Sequence, residues 1–169
     1  MDIRFVDGCA RPAAVGPLFQ EYTDRLLAEK PAFGKYLQLQ NYDEELIHLE
    51  AKYGPPGGRL YLLVTPEGEA VGTGALRPLE DGLCELKRLY IRPAFRGQGL
   101  ARRLVERLLT DARSEGYQAM LLDTFPFLSG AIRLYRTLGF YEIPSYNNSP
   151  LDSLIYMRKD LCPACSFCG

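Results

Sequence analysis

The segment that decides the fold is the loop at residues 92–99, which reads RPAFRGQG. It follows an apolar run that ends at Ile91 and precedes a helix that the leucine spacing predicts to begin near Leu100. Gly97 and Gly99 allow the backbone to approach an anion closely, and a helix start offers unpaired N–H groups and the positive end of the helix dipole. The loop therefore predicts a site for a pyrophosphate.

Positive charge concentrates around this loop, although the chain as a whole is nearly neutral. The 169 residues include 20 Lys or Arg and 21 Asp or Glu, so the overall charge predicts neither nucleic acid nor an anionic membrane as a partner. Between Glu85 and Arg113, however, eight basic residues accompany three acidic ones. The simpler interpretation is that the glycines only form a turn and the arginines only solvate a helix.

The segments on either side of the loop predict a strand, helix, strand unit. Leu83–Ile91 forms a long strand that ends before Pro93. Leu100–Glu115 carries a one-sided apolar stripe typical of an amphipathic helix, and Gly116 supplies its C-cap. Ala119–Leu122 is a continuous apolar run, as expected for a strand covered on both faces in a parallel pairing.

The remaining elements extend this unit into one domain over residues 1–160. The fold class we expect is mixed α/β, with antiparallel N-terminal strands followed by a parallel β-α-β core and flanking helices. The predicted elements are, in order, a strand at Ile3–Val6, helices at Cys9–Glu29 and Glu44–Lys52, a hairpin of Leu60–Thr65 with Ala70–Leu76, a helix at Ser129–Leu138, and closing strands at Phe140–Ile143 and Leu154–Met157.

The cysteines predict no disulfide framework. Cys9 and Cys84 are isolated, and Cys162, Cys165 and Cys168 lie in a tail at residues 161–169 that we expect to be flexible. The tail spacing suits thiolate ligands, but a closed zinc site needs four and a fourth is not evident, so no metal is expected. Without an apolar membrane span or a signal peptide, we expect a cytoplasmic protein.

Two nucleotide-binding motifs can be compared with the same loop. An ATP-type P-loop ends in Gly-Lys-Ser/Thr, but Leu100 and Ala101 follow Gly99 here. A dinucleotide fingerprint needs Gly or Ala where this chain has Arg102, although Asp123 falls near the position of the ribose-binding acid. A dinucleotide-dependent oxidoreductase therefore stays open as an alternative.

Two motifs together resemble the GNAT acetyltransferase superfamily, whose members bind acetyl-CoA. Arg96–Ala101, after the strand end at Ile91, matches the Arg/Gln-x-x-Gly-x-Gly/Ala signature. Ala131–Phe140 resembles the Ala-x-x-Leu-Tyr-x-x-x-Gly-Phe segment, in the correct order and on a predicted helix. Leu128 departs from the family pattern, because many members carry Asn there. The resemblance is strongest over residues 83–140.

The resemblance implies where acetyl-CoA would bind. Backbone groups of the strand before the loop would pair with the pantetheine arm, and the loop with the first turn of the helix would hold the pyrophosphate. The implied cofactor-binding residues are Leu89, Tyr90, Ile91, Arg96, Gly97, Gln98, Gly99, Leu100, Ala101 and Arg102.

The resemblance also implies two catalytic residues. Glu85 matches a position where some members carry a glutamate general base, and two-residue alternation places it on one face with Lys87, Leu89 and Ile91. Alternatively, Glu85 has only a structural role and forms an ion pair with a basic neighbour on the strand. Tyr135 matches the family tyrosine that can protonate the CoA thiolate, although a packing role is the usual one for a tyrosine on an amphipathic helix.

The implied reaction is direct transfer of an acetyl group to an amine within a ternary complex. Cys84 should point away from Glu85, and the single histidine, His48, lies among apolar residues where packing is expected. The catalytically silent alternative is an acyl-CoA sensor.

The acetyl acceptor is expected to be an amine of a small molecule, an amino acid or a peptide, held between residues 22–53 and 141–152. These segments offer Tyr36, Tyr42, Tyr141, Tyr146, Asn147 and Asn148. An exposed strand edge near the C-terminal end also makes a homodimer an expectation.

Overall fold

The strands join into a seven-stranded mixed sheet in the order β1-β2-β3-β4-β5-β7-β6. The computed structural model describes residues 2–31, 34, 42–147 and 153–161. The strands are β1 (Arg4–Asp7), β2 (Arg59–Val64), β3 (Ala70–Pro78), β4 (Leu83–Ile91), β5 (Ala119–Thr124), β6 (Tyr141–Ile143) and β7 (Ile155–Asp160).

The pairing confirms the predicted fold class. Strands β1 to β4 pair antiparallel in sequence order, β4 pairs with β5 in parallel, and β7 lies antiparallel between β5 and β6. A parallel pair needs a crossover connection, which a helix supplies here. The loop at residues 92–99 therefore connects β4 to the crossover helix, as the sequence predicts.

Helices cover the sheet, and the one predicted over residues 44–52 is divided. The helices are α1 (Pro12–Glu29), α2 (Tyr42–Ile47), α3 (Leu49–Tyr53), α4 (Leu100–Ser114) and α5 (Ser129–Thr137), with a 3₁₀ turn at Pro93–Phe95. His48 leaves the helical conformation between α2 and α3 and is exposed, so its predicted packing role is wrong. Within the described residues, no helix is both long and apolar enough to cross a lipid bilayer.

The two faces of the sheet bury separate apolar clusters. Leu104 and Leu108 of α4 pack on one face, as the apolar stripe of that helix predicts. Leu18 and Phe19 of α1 pack on the other face, together with Tyr90 of β4. Strand β4 is thus buried on both faces, and this packing fixes the point at which the loop begins.

Candidate active site

A cleft opens where β4 and β5 part. Their parallel pairing covers only Leu83–Glu85 of β4 against Ala119–Leu121 of β5. A cavity of about 530 Å³ begins directly beyond this point, with Leu86 and Leu122 in its lining. The cleft therefore runs along the second half of β4 toward the glycine loop.

A β-bulge in β4 reverses the expected alternation of its side chains. Tyr90 lies opposite Thr73 and Lys87 opposite Ala75, so β4 carries an extra residue at this point, and Arg88 adopts a left-handed φ of 59°. Cys84 and Leu86, the neighbours of Glu85, pack on the α4 face. Because side chains alternate along a strand, Glu85 lies on the α1 face with Lys87 and Tyr90.

The predicted grouping of Glu85 with Leu89 and Ile91 is consequently wrong. Leu89 and Ile91 pack with α4 residues beyond the bulge. An extra residue in one strand changes the face of every side chain after it, and this is the physical reason for the error.

The glycine loop leaves backbone donors open toward the cleft. Gly97 and Gly99 have φ values of 79° and 76°, and a Cβ on either would meet no atom within 4 Å. The glycines are thus required by backbone conformation and not by packing. Gly99 caps α4 without a side-chain hydrogen bond, and the first turn of α4 carries no acidic residue. The positive end of this helix faces the cavity unscreened.

Most of the predicted cofactor-binding residues line the cavity. They are Leu89, Tyr90, Ile91, Arg96, Gly97, Gly99, Leu100, Ala101 and Arg102. Gln98 is exposed at the tip of the loop and is not among the lining residues. The lining also includes Leu128, the position that departs from the family pattern.

Only part of the positive charge predicted around the loop faces the cavity. The Arg96 guanidinium lies 5.7 Å from the Tyr90 ring centre and its Nε donates to the Ile91 carbonyl at 2.9 Å. Burial and the nearby charge of Arg25 lower the pKa of Arg96, so these two cations lie near each other at the loop end. Arg103 and Arg107 instead lie over aromatic rings of β1 and β2, away from the loop.

Tyr135 lies in the wall of the cavity with its ring in the core. It is 6% exposed and its ring centre lies 5.7 Å from that of Phe140. Burial raises the pKa of Tyr135 above its ordinary value, and the neighbouring groups Tyr22 and Asp123 raise it further. The hydroxyl therefore keeps its proton until a strong base forms beside it.

Glu85 lies behind the cavity wall. Its side chain is 2% exposed, Arg77 Nε donates to Oε1 at 2.7 Å, and the Tyr146 hydroxyl donates to Oε2 at 2.6 Å. Burial alone would raise the pKa of Glu85, but the charges of Lys87 and Arg77 and these hydrogen bonds outweigh it, so the pKa lies below its usual value. Glu85 is not among the residues that line the cavity.

Asp123 is the carboxylate that does line the cavity. Asn147 Nδ2 donates to Asp123 Oδ2 at 3.1 Å, and the Tyr156 hydroxyl donates to Asn147 Oδ1 at 3.0 Å. Asn147, in the segment that follows β6, thus orients this carboxylate. The sequence pointed to Asp123 only through the dinucleotide alternative.

The expected acetyl-acceptor segments contribute in part. Tyr146 and Asn147 reach the site through Glu85 and Asp123, whereas Tyr141 bonds Asp160 on the outer strands. Tyr36, Asn148 and the side chain of Tyr42 lie outside the described residues. Tyr22 and Arg25 of the expected segment 22–53 line the cavity, and the structure adds lining residues that the sequence did not assign to this site: Lys87, Arg88, Thr124, Gly130 and Leu134.

Comparisons with known proteins agree with this geometry. The sequence model of the acetyltransferase (GNAT) family matches residues 19–140. The chain belongs to this family. An uncharacterized N-acetyltransferase of Schizosaccharomyces pombe is 38% identical over 145 residues, which cover 85% of each chain.

Two further similarities concern an acceptor and a coenzyme. A zebrafish (Danio rerio) protein named N-acetylaspartate synthetase is 31% identical over 124 residues, 68% of this acetyltransferase and 44% of that protein. The crystal structure of the PaiA N-acetyltransferase from Thermoplasma acidophilum in complex with coenzyme A has a TM-score of 0.72 and 14% identity, covering 95% of this chain and 99% of that one. The latter similarity shows a shared fold.

Cysteine chemistry is disfavoured at the site of this acetyltransferase. Cys84 is fully buried, with Sγ 3.5 Å from the Ala119 carbonyl oxygen, and burial followed by the charge of Glu85 raises its pKa to about 12. A thiol with so high a pKa is a poor nucleophile at neutral pH. Cys162, Cys165 and Cys168 lie outside the described residues, and within residues 2–31, 34, 42–147 and 153–161 no cluster of His, Cys, Asp or Glu could hold a metal ion.

Proposed function

We propose that this acetyltransferase moves the acetyl group of acetyl-CoA directly to an amine in a ternary complex. The observation that carries the proposal is the open N-terminus of α4 with Gly97 and Gly99, at the mouth of a cleft formed by parting strands. The pyrophosphate would accept hydrogen bonds from residues 96–102, and the pantetheine arm would follow the backbone of residues 89–91.

The proposed reaction needs two proton transfers. The amine nitrogen attacks the thioester carbonyl carbon, a C–N bond forms, and the C–S bond breaks. Tyr135, which its raised pKa keeps protonated at neutral pH, gives its proton to the departing thiolate as negative charge forms on the sulfur, although the same raised pKa makes it a weak acid. A carboxylate accepts the proton that the amine loses. Because Cys84 is buried with a raised pKa, a covalent acetyl-cysteine intermediate is disfavoured, which supports direct transfer.

Two carboxylates are candidates for that base. Glu85 is implied by its position in the family pattern and would act through a water molecule, but its lowered pKa makes it a weak base. Asp123 lines the cavity and is oriented by Asn147. Replacing the true base, by Glu85→Gln or Asp123→Asn, should lower kcat by about 10²-fold and remove the acidic limb of its pH profile. The other variant should keep that limb.

The acetyl acceptor we propose is an amine of a small molecule, an amino acid or a peptide. The name of the zebrafish relative fits an amino-acid acceptor, but this chain spans less than half of that protein. We also propose a cytoplasmic protein, and the short edge strand β6 is a surface where two copies could pair.

The test combines coenzyme binding with turnover. In a thermal-shift series, acetyl-CoA and CoA should raise the melting temperature, whereas NAD and NADP should not. Thiol release from acetyl-CoA should then depend on an added amine from a library. Binding without turnover across the whole library would favour the silent acyl-CoA sensor, and selective stabilisation by NAD would favour the oxidoreductase.

A further inference from the structure

The end of the cavity remote from the glycine loop holds a buried lysine with no hydrogen-bond acceptor among the described residues. Lys87 lines the cavity and is 8% exposed. Its nearest carboxylate oxygen is Glu85 Oε1, 3.8 Å from Nζ. This separation is longer than the 2.7–3.2 Å of an ordinary N–H···O bond. The donors of Lys87 are therefore open to a ligand in the cavity.

Glu85 already accepts hydrogen bonds from two other donors. Arg77 donates to one carboxylate oxygen at 2.7 Å and Tyr146 to the other at 2.6 Å. Glu85 therefore keeps Lys87 in place through charge attraction at longer range. A buried ammonium in this position favours an anion that can come closer.

The neighbouring buried ion pairs leave positive charge in excess. Lys52 Nζ and Arg88 Nη2 each lie 2.6 Å from an oxygen of the same carboxylate, Glu45. Burial lowers the pKa of Lys52 to about 8; Glu45 opposes this shift, and the charges of Arg88 and Lys87 add to it. Lys87 and Arg77 likewise share the Glu85 carboxylate, so four cations accompany two carboxylates in this part of the structure.

The coenzyme does not supply the missing anion in the arrangement proposed above. Lys87 precedes Ile91 by four residues, so about 13 Å of extended strand separates it from the start of the loop that would hold the phosphates. The part of acetyl-CoA that would reach Lys87 is the uncharged thioester end. An anion at Lys87 must then belong to the second substrate.

We infer that the acetyl acceptor is an amine that carries a carboxylate, and that Lys87 binds this carboxylate. The inference builds on the proposed function and names the substrate class for the same cavity. A carboxylate held by the ammonium would fix the orientation of the acceptor, so that its amine is presented to the thioester beside Asp123 and Tyr135. Lys87 is thus a specificity-determining residue.

The experiment compares each of a set of amino acids with its carboxamide, at saturating acetyl-CoA. The amide's amine loses its proton more readily, so intrinsic reactivity favours the amide and any preference for the acid reports binding. In the unchanged protein, kcat/KM should be at least about tenfold higher for the best acid than for its amide. Equal values, or a preference for the amide, would overturn the inference.

Variants then assign the preference to Lys87. Lys87→Met should raise KM for the acid and bring the acid-to-amide ratio close to one. Lys87→Arg should restore the preference. Lys159→Met removes a lysine on β7 that does not line the cavity and should leave the ratio unchanged. If Lys87→Met instead lowers kcat equally for both substrates, Lys87 acts on the thioester and the inference is wrong.

Coenzyme binding separates failure of this inference from failure of the proposed function. Acetyl-CoA should raise the melting temperature of Lys87→Met and of the unchanged protein by similar amounts. Turnover of neutral amines without an acid preference would reject only the carboxylate site. No turnover with any amine would reject the proposed acetyltransfer to amines itself. A variant that does not fold leaves the acid-to-amide ratio of the unchanged protein as the deciding measurement.

Discussion

The two ends of the cavity are built in different ways. At the loop end, the main groups available to a ligand are the backbone N–H groups and glycines within residues 96–102, accompanied by the guanidinium groups of Arg25 and Arg96. At the strand end, they are side chains, chiefly Lys87 and Asp123, and the residues that hold them come from β3, β4 and the β6–β7 connection. A ligand common to many proteins can be recognised by a short segment, whereas a particular acceptor needs side chains assembled by the fold.

The largest effect is expected from a substitution that disables the loop end alone. In Gly99→Val, a β-branched residue would have to adopt a left-handed φ and would displace the first N–H groups of α4. With each donor to a phosphate contributing about 1.5 kcal/mol, loss of several should raise the KM for acetyl-CoA about 10³-fold. Steady-state kinetics at varied acetyl-CoA measures this.

The matched control is Gly68→Val. Gly68 has a φ of 90° and open space around its Cβ position, like Gly99, but lies in the β2–β3 turn away from the cavity. It should lose stability without changing that KM. Equal effects of both variants on the KM for acetyl-CoA would show that backbone strain, and not the loss of N–H donors to the pyrophosphate, is responsible.

The difference between the ends also explains what the sequence could predict. The bounds of β4 at Leu83–Ile91 were predicted correctly, because an apolar run between turn residues is a local signal. The bulge at Arg88 was not, since its left-handed conformation occurs at an arginine and not at a glycine. Arg88 also forms an ion pair with Glu45, 43 residues earlier, and no local pattern reports such a contact.

The same reasoning applies to Asp123. Its hydrogen bond to Asn147 spans 24 residues and joins β5 to the segment that follows β6. The family resemblance at Ala131–Phe140 implied Tyr135 as a site residue, and Tyr135 does line the cavity. Side chains that converge from separate elements leave no comparable trace in the sequence.

The second prediction concerns the stability of the strand end. Glu45→Gln would leave the half-buried cation of Lys52 and the buried cation of Arg88 without their carboxylate and should reduce the free energy of unfolding by about 3 kcal/mol. Glu44→Gln changes an exposed neighbour on α2 and should have little effect. Urea unfolding of the two variants measures the difference.

The pH dependence of stability provides a check on Glu45. Burial alone would raise its pKa, but the charges of Arg88 and Lys52 outweigh it and hold the pKa below the ordinary 4.5. Because the folded pKa is the lower one, the contribution is present above about pH 4.5 and is lost as the pH falls through the folded value. Glu45→Gln should flatten this acidic decline, and an unchanged decline would contradict the assignment.

The third prediction tests the residue between the two ends. Tyr135→Phe removes the proposed proton donor to the thiolate while keeping the ring that packs on Phe140, so kcat should fall about 10²-fold with KM values nearly unchanged. Tyr117→Phe also loses a partly buried hydroxyl, which bonds the Gly57 carbonyl outside the cavity, and should keep its kcat. A normal kcat in Tyr135→Phe would mean that water or another group protonates the thiolate.

The smallest effect is expected where the loop end extends onto α1. Arg25 lines the cavity and lies close enough to Arg96 to lower its pKa, so both guanidinium groups lie near the proposed pyrophosphate site. Arg25→Gln should raise the KM for acetyl-CoA by roughly fivefold at low salt, and the difference should shrink as salt screens an exposed charge. Arg11→Gln, about 21 Å away along α1, should not change this KM. If Arg25→Gln instead raised the KM for the acceptor, Arg25 would bind the acceptor and not the coenzyme. The acceptor site would then extend further along the cavity toward the loop.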